Sequence, residues 1–162
     1  MVDCSNLFST YLTTHENNIN VEMVNQKNTY LNHLKFFNEI IDNYLDESIY
    51  LTKKSVDKFI FYDFVFERPQ EGKFEISTKY SNLICNMNEN IENLNQKLPR
   101  RLGYVEHRDF LINNLLEIGI FIPKCERRDF MKLEKEVYKF LNNINKNISC
   151  SLLKEAKYNA YE

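Results

Sequence analysis

Between Val21 and Leu45 the hydrophobic positions fall three and four residues apart. Tyr30, Leu34, Phe37, Ile41 and Tyr44 share one face and Leu31 and Leu45 widen it, the mark of a helix packed along one side. A shorter helix is expected from Ser5 to Thr14, with Leu7, Phe8, Tyr11 and Leu12 inward, ended by the polar run His15 to Asn20. Tyr80, Leu83, Ile84, Met87, Ile91 and Leu94 trace a continuous stripe over Thr78 to Leu98. Ser77 or Thr78 can cap that helix and Pro99 closes it. A further helix spans about Glu106 to Ile118, with Gly119 at its end, and another follows Asp129 with Phe130, Leu133, Val137, Phe140, Leu141 and Ile144 inward. A weaker helix is expected from Ser151 to about Tyr158.

The run Phe59 to Phe66 fits two readings. It is a helix buried nearly all round, with Ser55 as its cap, or the first strand of a β-hairpin over residues 58–77, turning at Pro69 to Gly72 and returning through the alternating Lys73 to Ser77. The expected fold is mainly α: a compact helical bundle of about five to six helices, with that hairpin as an option, built as one domain over residues 1–162.

Composition narrows the function classes. The chain is 43% hydrophobic and 27% charged, which is globular rather than disordered. Its bias toward Asn, Ile, Lys and Tyr reflects AT-rich codons and suggests a virus, a low-GC bacterium or a protozoan as source. The net charge of −2 argues against a dedicated nucleic-acid protein. Basic residues nevertheless crowd the stretch from Lys97 to Arg128, and acidic ones Glu39 to Glu47. No apolar run approaches the length of a membrane span, and the first residues lack the basic and apolar regions of a signal peptide. With Met1 as the native start, the expected location is cytoplasmic, or the host cytosol or nucleus for a viral protein.

Candidate chemistry is sparse. Cys4, Cys85, Cys125 and Cys150 form no Cys-x-x-Cys pair, and His15, His33 and His107 do not stand at ligand spacing beside them, so no metal or cofactor is expected. Free buried thiols are the preferred reading. Two disulfides in a secreted helical cytokine, with Asn147-Ile148-Ser149 as a sequon, form the minor one. Only three glycines occur, and the Walker A and Rossmann patterns are absent. Asp42 and Asp46, four apart, lack the Glu-x-x-His of a di-iron bundle and read as a solvated face.

One constellation carries a sharper hypothesis. Arg101-Leu102-Gly103-Tyr104-Val105-Glu106-His107, leading through Leu111, Leu116 and Gly119 into a last amphipathic helix, resembles the Arg-x(4–6)-His motif of the HEPN superfamily. The resemblance covers Pro99 to Lys146. Leu102 stands where the family usually carries a polar residue. It implies a metal-independent endoribonuclease, or an inactive relative, of a toxin or antiviral system, with its cleft shared between two copies. His107 would then move the proton of the attacking 2′-hydroxyl and Arg101 would stabilise charge on the phosphate. Lys97, Arg100 and Arg108 would hold the RNA backbone.

The preferred reading is different: a non-catalytic interaction protein that binds a host, toxin or regulatory partner through its helical surface. Lys97, Arg100, Arg108, Arg127 and Arg128 are the candidate contact residues. The expected partner is a protein; RNA and a second copy of the chain stay open, and a membrane is not expected.

Overall fold

In the computed structural model of the chain, residues 4–96 and 101–154 are described, with side chains for 12–96 and 104–154. Five α-helices follow one another: α1 (Cys4–Glu47), α2 (Lys58–Val65), α3 (Thr78–Gln96), α4 (Arg101–Glu117) and α5 (Arg127–Asn147). Short 3-10 turns at Lys53–Ser55 and Pro69–Glu71 join the first three. The described residues form no named strand, only single antiparallel bridges between Val56 and Ile120 and between Phe66 and Ile76. The expected mainly α, compact helical bundle is the observed architecture.

α1 is the largest departure from the sequence reading. It runs unbroken for 44 residues, about 66 Å at 1.5 Å per residue, where a break was expected at His15 to Asn20. That polar run holds neither Pro nor Gly, and Asn or His costs a helix only some tenths of a kcal/mol per residue. Polarity alone therefore does not stop the backbone.

The ambiguous run Phe59 to Phe66 folds as α2. The Asp57 carboxylate accepts hydrogen bonds from the backbone N–H groups of Phe59 and Ile60, both at 3.1 Å, and starts the helix; Ser55 lies in the preceding turn. Phe61, Tyr62 and Val65 then face the core, where the Phe61 ring lies 5.6 Å from Phe37 and 5.9 Å from Phe140. Burying each such side chain contributes about 1.5–3 kcal/mol. Of the hairpin alternative only the Phe66–Ile76 bridge exists, around a turn in which Arg68 and Gly72 take positive φ of 41° and 75°.

α3 begins as expected: the Ser77 hydroxyl accepts from Tyr80 N–H at 3.0 Å and donates to the Phe64 carbonyl at 2.6 Å. Pro99 lies outside the described residues. α4 starts at Arg101, five residues before its expected start, and takes Gly103 into the helix. Its end is as expected. Gly119 has φ +78°, and a Cβ there would stand 2.9 Å from Ile60 Cβ and 3.0 Å from the Asp57 carbonyl. α5 starts at Arg127, so Asp129 sits in its first turn rather than at the cap. Ser151 to Lys154 is not helical. It is clipped to α3, where the Asn88 amide donates to the Leu152 carbonyl and accepts from Lys154 N–H; the remainder of the expected last helix lies outside the described residues.

The core joins the C-terminal half of α1 to the other four helices. Phe37, Ile41 and Leu45 of α1 are buried, together with Tyr80, Leu83, Met87, Leu111, Leu115, Phe130, Val137 and Phe140. Fully buried Asn145 ties the end of α5 to its surroundings: it accepts from the Tyr80 hydroxyl at 2.6 Å and donates to the Ser151 carbonyl at 2.9 Å.

Candidate functional site

The histidine that carried the catalytic hypothesis belongs to the core. His107 is 3% exposed and Glu134, on α5, is 0% exposed. Nε2 of His107 donates to Oε1 of Glu134 at 2.6 Å, and Nδ1 meets the side-chain amide of Asn90 on α3. One imidazole thus pins α3, α4 and α5. The Asn90 amide can present either its oxygen or its NH2, so the set accommodates either protonation state of the ring. A ring enclosed in this way has no access to an RNA phosphate. Arg101 opens α4, and its side chain lies outside the description, as do Lys97 and Arg100.

Two of the basic residues converge. The guanidinium carbons of Arg108 and Arg127 lie 5.8 and 5.3 Å from the centre of the Tyr104 ring, which packs edge-on against Phe130 at 5.8 Å. Burial raises the pKa of Tyr104, opposed by the two arginines. Arg108 is also held by Asp109, with Nη2 to Oδ1 at 2.9 Å, so part of its charge is compensated within the chain. Arg128 is exposed and does not join the Tyr104 group.

Two other surfaces escaped the sequence reading. Beside α1 lies a pocket of about 210 Å³ lined by His33, Phe36, Phe37, Phe66 and Phe74 and bordered by the turn at Ile148 and Ser149. His33 stacks on Phe74 with ring centres 4.0 Å apart and meets the Tyr62 hydroxyl through Nδ1 at 2.8 Å. Its pKa is lowered by burial, which favours the neutral ring. The abundance of Phe was the available signal, but a ring count does not say which rings meet.

The second surface is the N-terminal half of α1. Every residue from Leu12 to Thr29 is exposed. Leu12, Ile19 and Met23 are 43%, 44% and 62% exposed, and they share a helix face with Tyr30, Phe37 and Ile41, which pack into the body. The apolar stripe therefore runs on past the bundle that it serves. Spacings of seven, four and seven from Leu12 to Tyr30 were present in the sequence, but splitting the helix at His15 to Asn20 hid them.

Comparison with known proteins replaces the HEPN resemblance. The family model of the Retron Ec48 antiviral membrane protein matches residues 6–152. The Retron Ec48 transmembrane protein of Escherichia coli is 25% identical over 124 residues, covering 75% of this chain and 53% of that protein. The chain thus spans about half the length of the curated relative it matches. No solved structure matches it. The HEPN resemblance rested on Arg101, His107 and the stretch that leads into the last helix; the family match overturns it, and the histidine is spent on packing. The expectations of a cytoplasmic location and of no membrane involvement are also overturned, since both family and relative are described as membrane proteins. Those expectations came from the missing apolar run. No helix among the described residues is long and apolar enough to cross a membrane, but that observation speaks for these residues and not for the other half of the relative's length. With its model aligned from residue 6 to residue 152, this chain belongs to the Retron Ec48 antiviral membrane protein family.

Proposed function

We propose that the chain is a non-catalytic contact unit of a membrane-associated antiviral protein, and that it binds a protein partner through the exposed flank of α1. The observation that carries this reading is how the residues divide. The polar side chains best suited to chemistry, His107 and Glu134, bridge helices inside the core, whereas large apolar side chains stand in solvent along α1. Leu12, Ile19 and Met23 supply the stripe and Phe36, 57% exposed, flanks the aromatic pocket farther along the same helix. Desolvated apolar and aromatic side chains are what interface centres are made of.

The test is protection against phage in cells carrying the intact antiviral system. Met23→Lys in the full-length protein abolishes protection while expression persists. Cys85→Ser, Arg108→Ala and Arg127→Ala, which remove the accessible thiol and the guanidinium groups beside Tyr104, leave it intact. Protection that survives Met23→Lys and disappears with the polar variants would point to chemistry at the surface instead.

A further inference from the structure

We propose that the end of the bundle where α1 stops, α2 starts and the chain leaves α4 rests on a lipid bilayer, with Phe59, Ile60 and Phe121 entering the boundary between headgroups and acyl chains. This rests on the membrane-associated part of the reading above and not on the stripe of α1.

Backbone bonds hold this end together. The Asp57 N–H donates to the Gly119 carbonyl at 2.8 Å and the Phe121 N–H to the Ser55 carbonyl at 2.7 Å, on either side of the Val56–Ile120 bridge. Val56, Gly119 and Ile120 are buried. Nζ of Lys58 reaches Asp42 at 2.6 Å and fixes the start of α2 to the last turns of α1. Large apolar side chains nevertheless stand in solvent on this frame: Phe59 is 60% exposed, Ile60 42% and Phe121 45%. Ile49 and Tyr50, just past the end of α1, are exposed as well. A cluster of exposed apolar side chains on a fixed backbone marks an interaction surface.

Two observations choose lipid over protein. The first is the lysines. Lys53, Lys54 and Lys58 lie between Tyr50 and Phe59, and Lys124 follows Phe121 by three residues. Lysine is depleted in protein interfaces. At a bilayer surface, tyrosine rings sit at headgroup level and lysine stems lie along apolar surface with the ammonium in water. The second is membership of a membrane-protein family, which makes a bilayer the neighbouring surface. No described helix crosses it, but a surface can lie on it. Asp46 and Asp42 take up Lys53 and Lys58 within the chain, so apolar side chains rather than net charge carry the contact. Leu12 lies about 50 Å from this end along α1, which leaves the stripe open to a protein.

The chain has no tryptophan, so a single introduced one reports its own surroundings. The 162-residue chain is mixed with vesicles of phosphatidylethanolamine and phosphatidylglycerol. Emission of the Phe59→Trp and Phe121→Trp chains shifts to the blue and is quenched by brominated acyl chains. Val105→Trp, at a 47% exposed site on α4, shows neither effect. In flotation the wild type rises with the vesicles. Phe59→Asp and Phe121→Asp each lower the partition by about tenfold or more, the worth of one large side chain taken out of water, with unchanged circular dichroism. A wild type that does not float, or a Phe59→Trp chain whose emission does not move, overturns the lipid contact. Flotation lost in Met23→Lys and kept in Phe59→Asp moves the lipid contact to the stripe and overturns it too. If nothing floats and full-length Phe59→Asp loses phage protection, the patch belongs to a protein; if protection stays, the patch is idle. Both results reject the bilayer. The contact reading is decided separately, by whether full-length Met23→Lys protects.

Discussion

Replacing His107 by alanine separates a structural from a surface role for this residue. The imidazole is 3% exposed and donates through Nε2 to a Glu134 carboxylate that is itself 0% exposed, at 2.6 Å. Its loss takes a hydrogen-bond partner away from the fully buried Glu134 side chain and opens a void among α3, α4 and α5. Losing a buried hydrogen-bond partner and leaving a void the size of the ring together cost about 3–5 kcal/mol. A domain of this kind has about 5–15 kcal/mol in all, so the variant folds with a large part of its stability gone. At a urea slope of about 2 kcal/mol per M the midpoint drops by about 1.5–2.5 M, and Tm by about 6–20 °C. Adding Glu134→Gln changes the group that the imidazole contacts, so the double variant loses less than the two single losses combined, by about 1–3 kcal/mol. The assay is urea unfolding followed by far-ultraviolet circular dichroism. A His107→Ala loss below about 1 kcal/mol, the range of exposed substitutions, would refute the buried pin and return the histidine to the surface.

Three further outcomes follow from the same geometry. Gly119→Ala combines a left-handed backbone, φ +78°, with a Cβ 2.9 Å from Ile60 and 3.0 Å from the Asp57 carbonyl; it lowers stability by about 2–4 kcal/mol in urea unfolding, and a loss under 0.5 kcal/mol would contradict the close packing of α2 on the α4 terminus. Ser77→Ala removes the cap of α3 and the bond to the Phe64 carbonyl, for a loss of about 1–2 kcal/mol, whereas Ser81→Ala on the exposed flank of the same helix is near neutral. His33 titrates lower in the folded chain than its ordinary 6.5 because it is partly buried. The unfolded chain then binds more protons below that pH, so the contribution of His33 is fully present above about pH 6.5 and is lost as pH falls through the lower folded value. Urea midpoints at pH 7.5 and 5.5 fall farther apart in the wild type than in His33→Phe; equal drops would mean that the ring stays accessible to protons.

The bundle was legible because period and burial agree over long stretches. The stripe from Tyr80 to Ile91 predicted α3, and Phe130 to Ile144 predicted α5, and these residues are the core. Element ends were harder, since they depend on single hydrogen bonds: Asp57, not Ser55, starts α2, and nothing in the neighbouring polar residues marks that choice. The break expected within α1 failed for a different reason. Exposed polar residues are compatible with a helix that has left the body, and local composition carries no information on where the body ends. The candidate site was less legible than the fold. Pattern set Arg101 and His107 six residues apart along the chain, but only the tertiary packing of Glu134 and Asn90 reveals that the histidine faces inward. The aromatic pocket joins residues from position 33 to position 149, a separation that no local pattern spans. The family and the relative are described as membrane proteins, whereas no helix among the described residues carries the apolar run by which a span is read from sequence.

The central claim is that this chain acts by contact along one face of α1. Its most direct measurement is a lysine scan of residues 12–31 in the full-length protein, read as protection against phage. The account predicts that protection is lost at Leu12, Ile19 and Met23 and retained at Asn17, Asn18 and Asn25, so that losses recur with the heptad and mark one stripe. Losses spread evenly around the helix, or none at the three stripe positions, would contradict it.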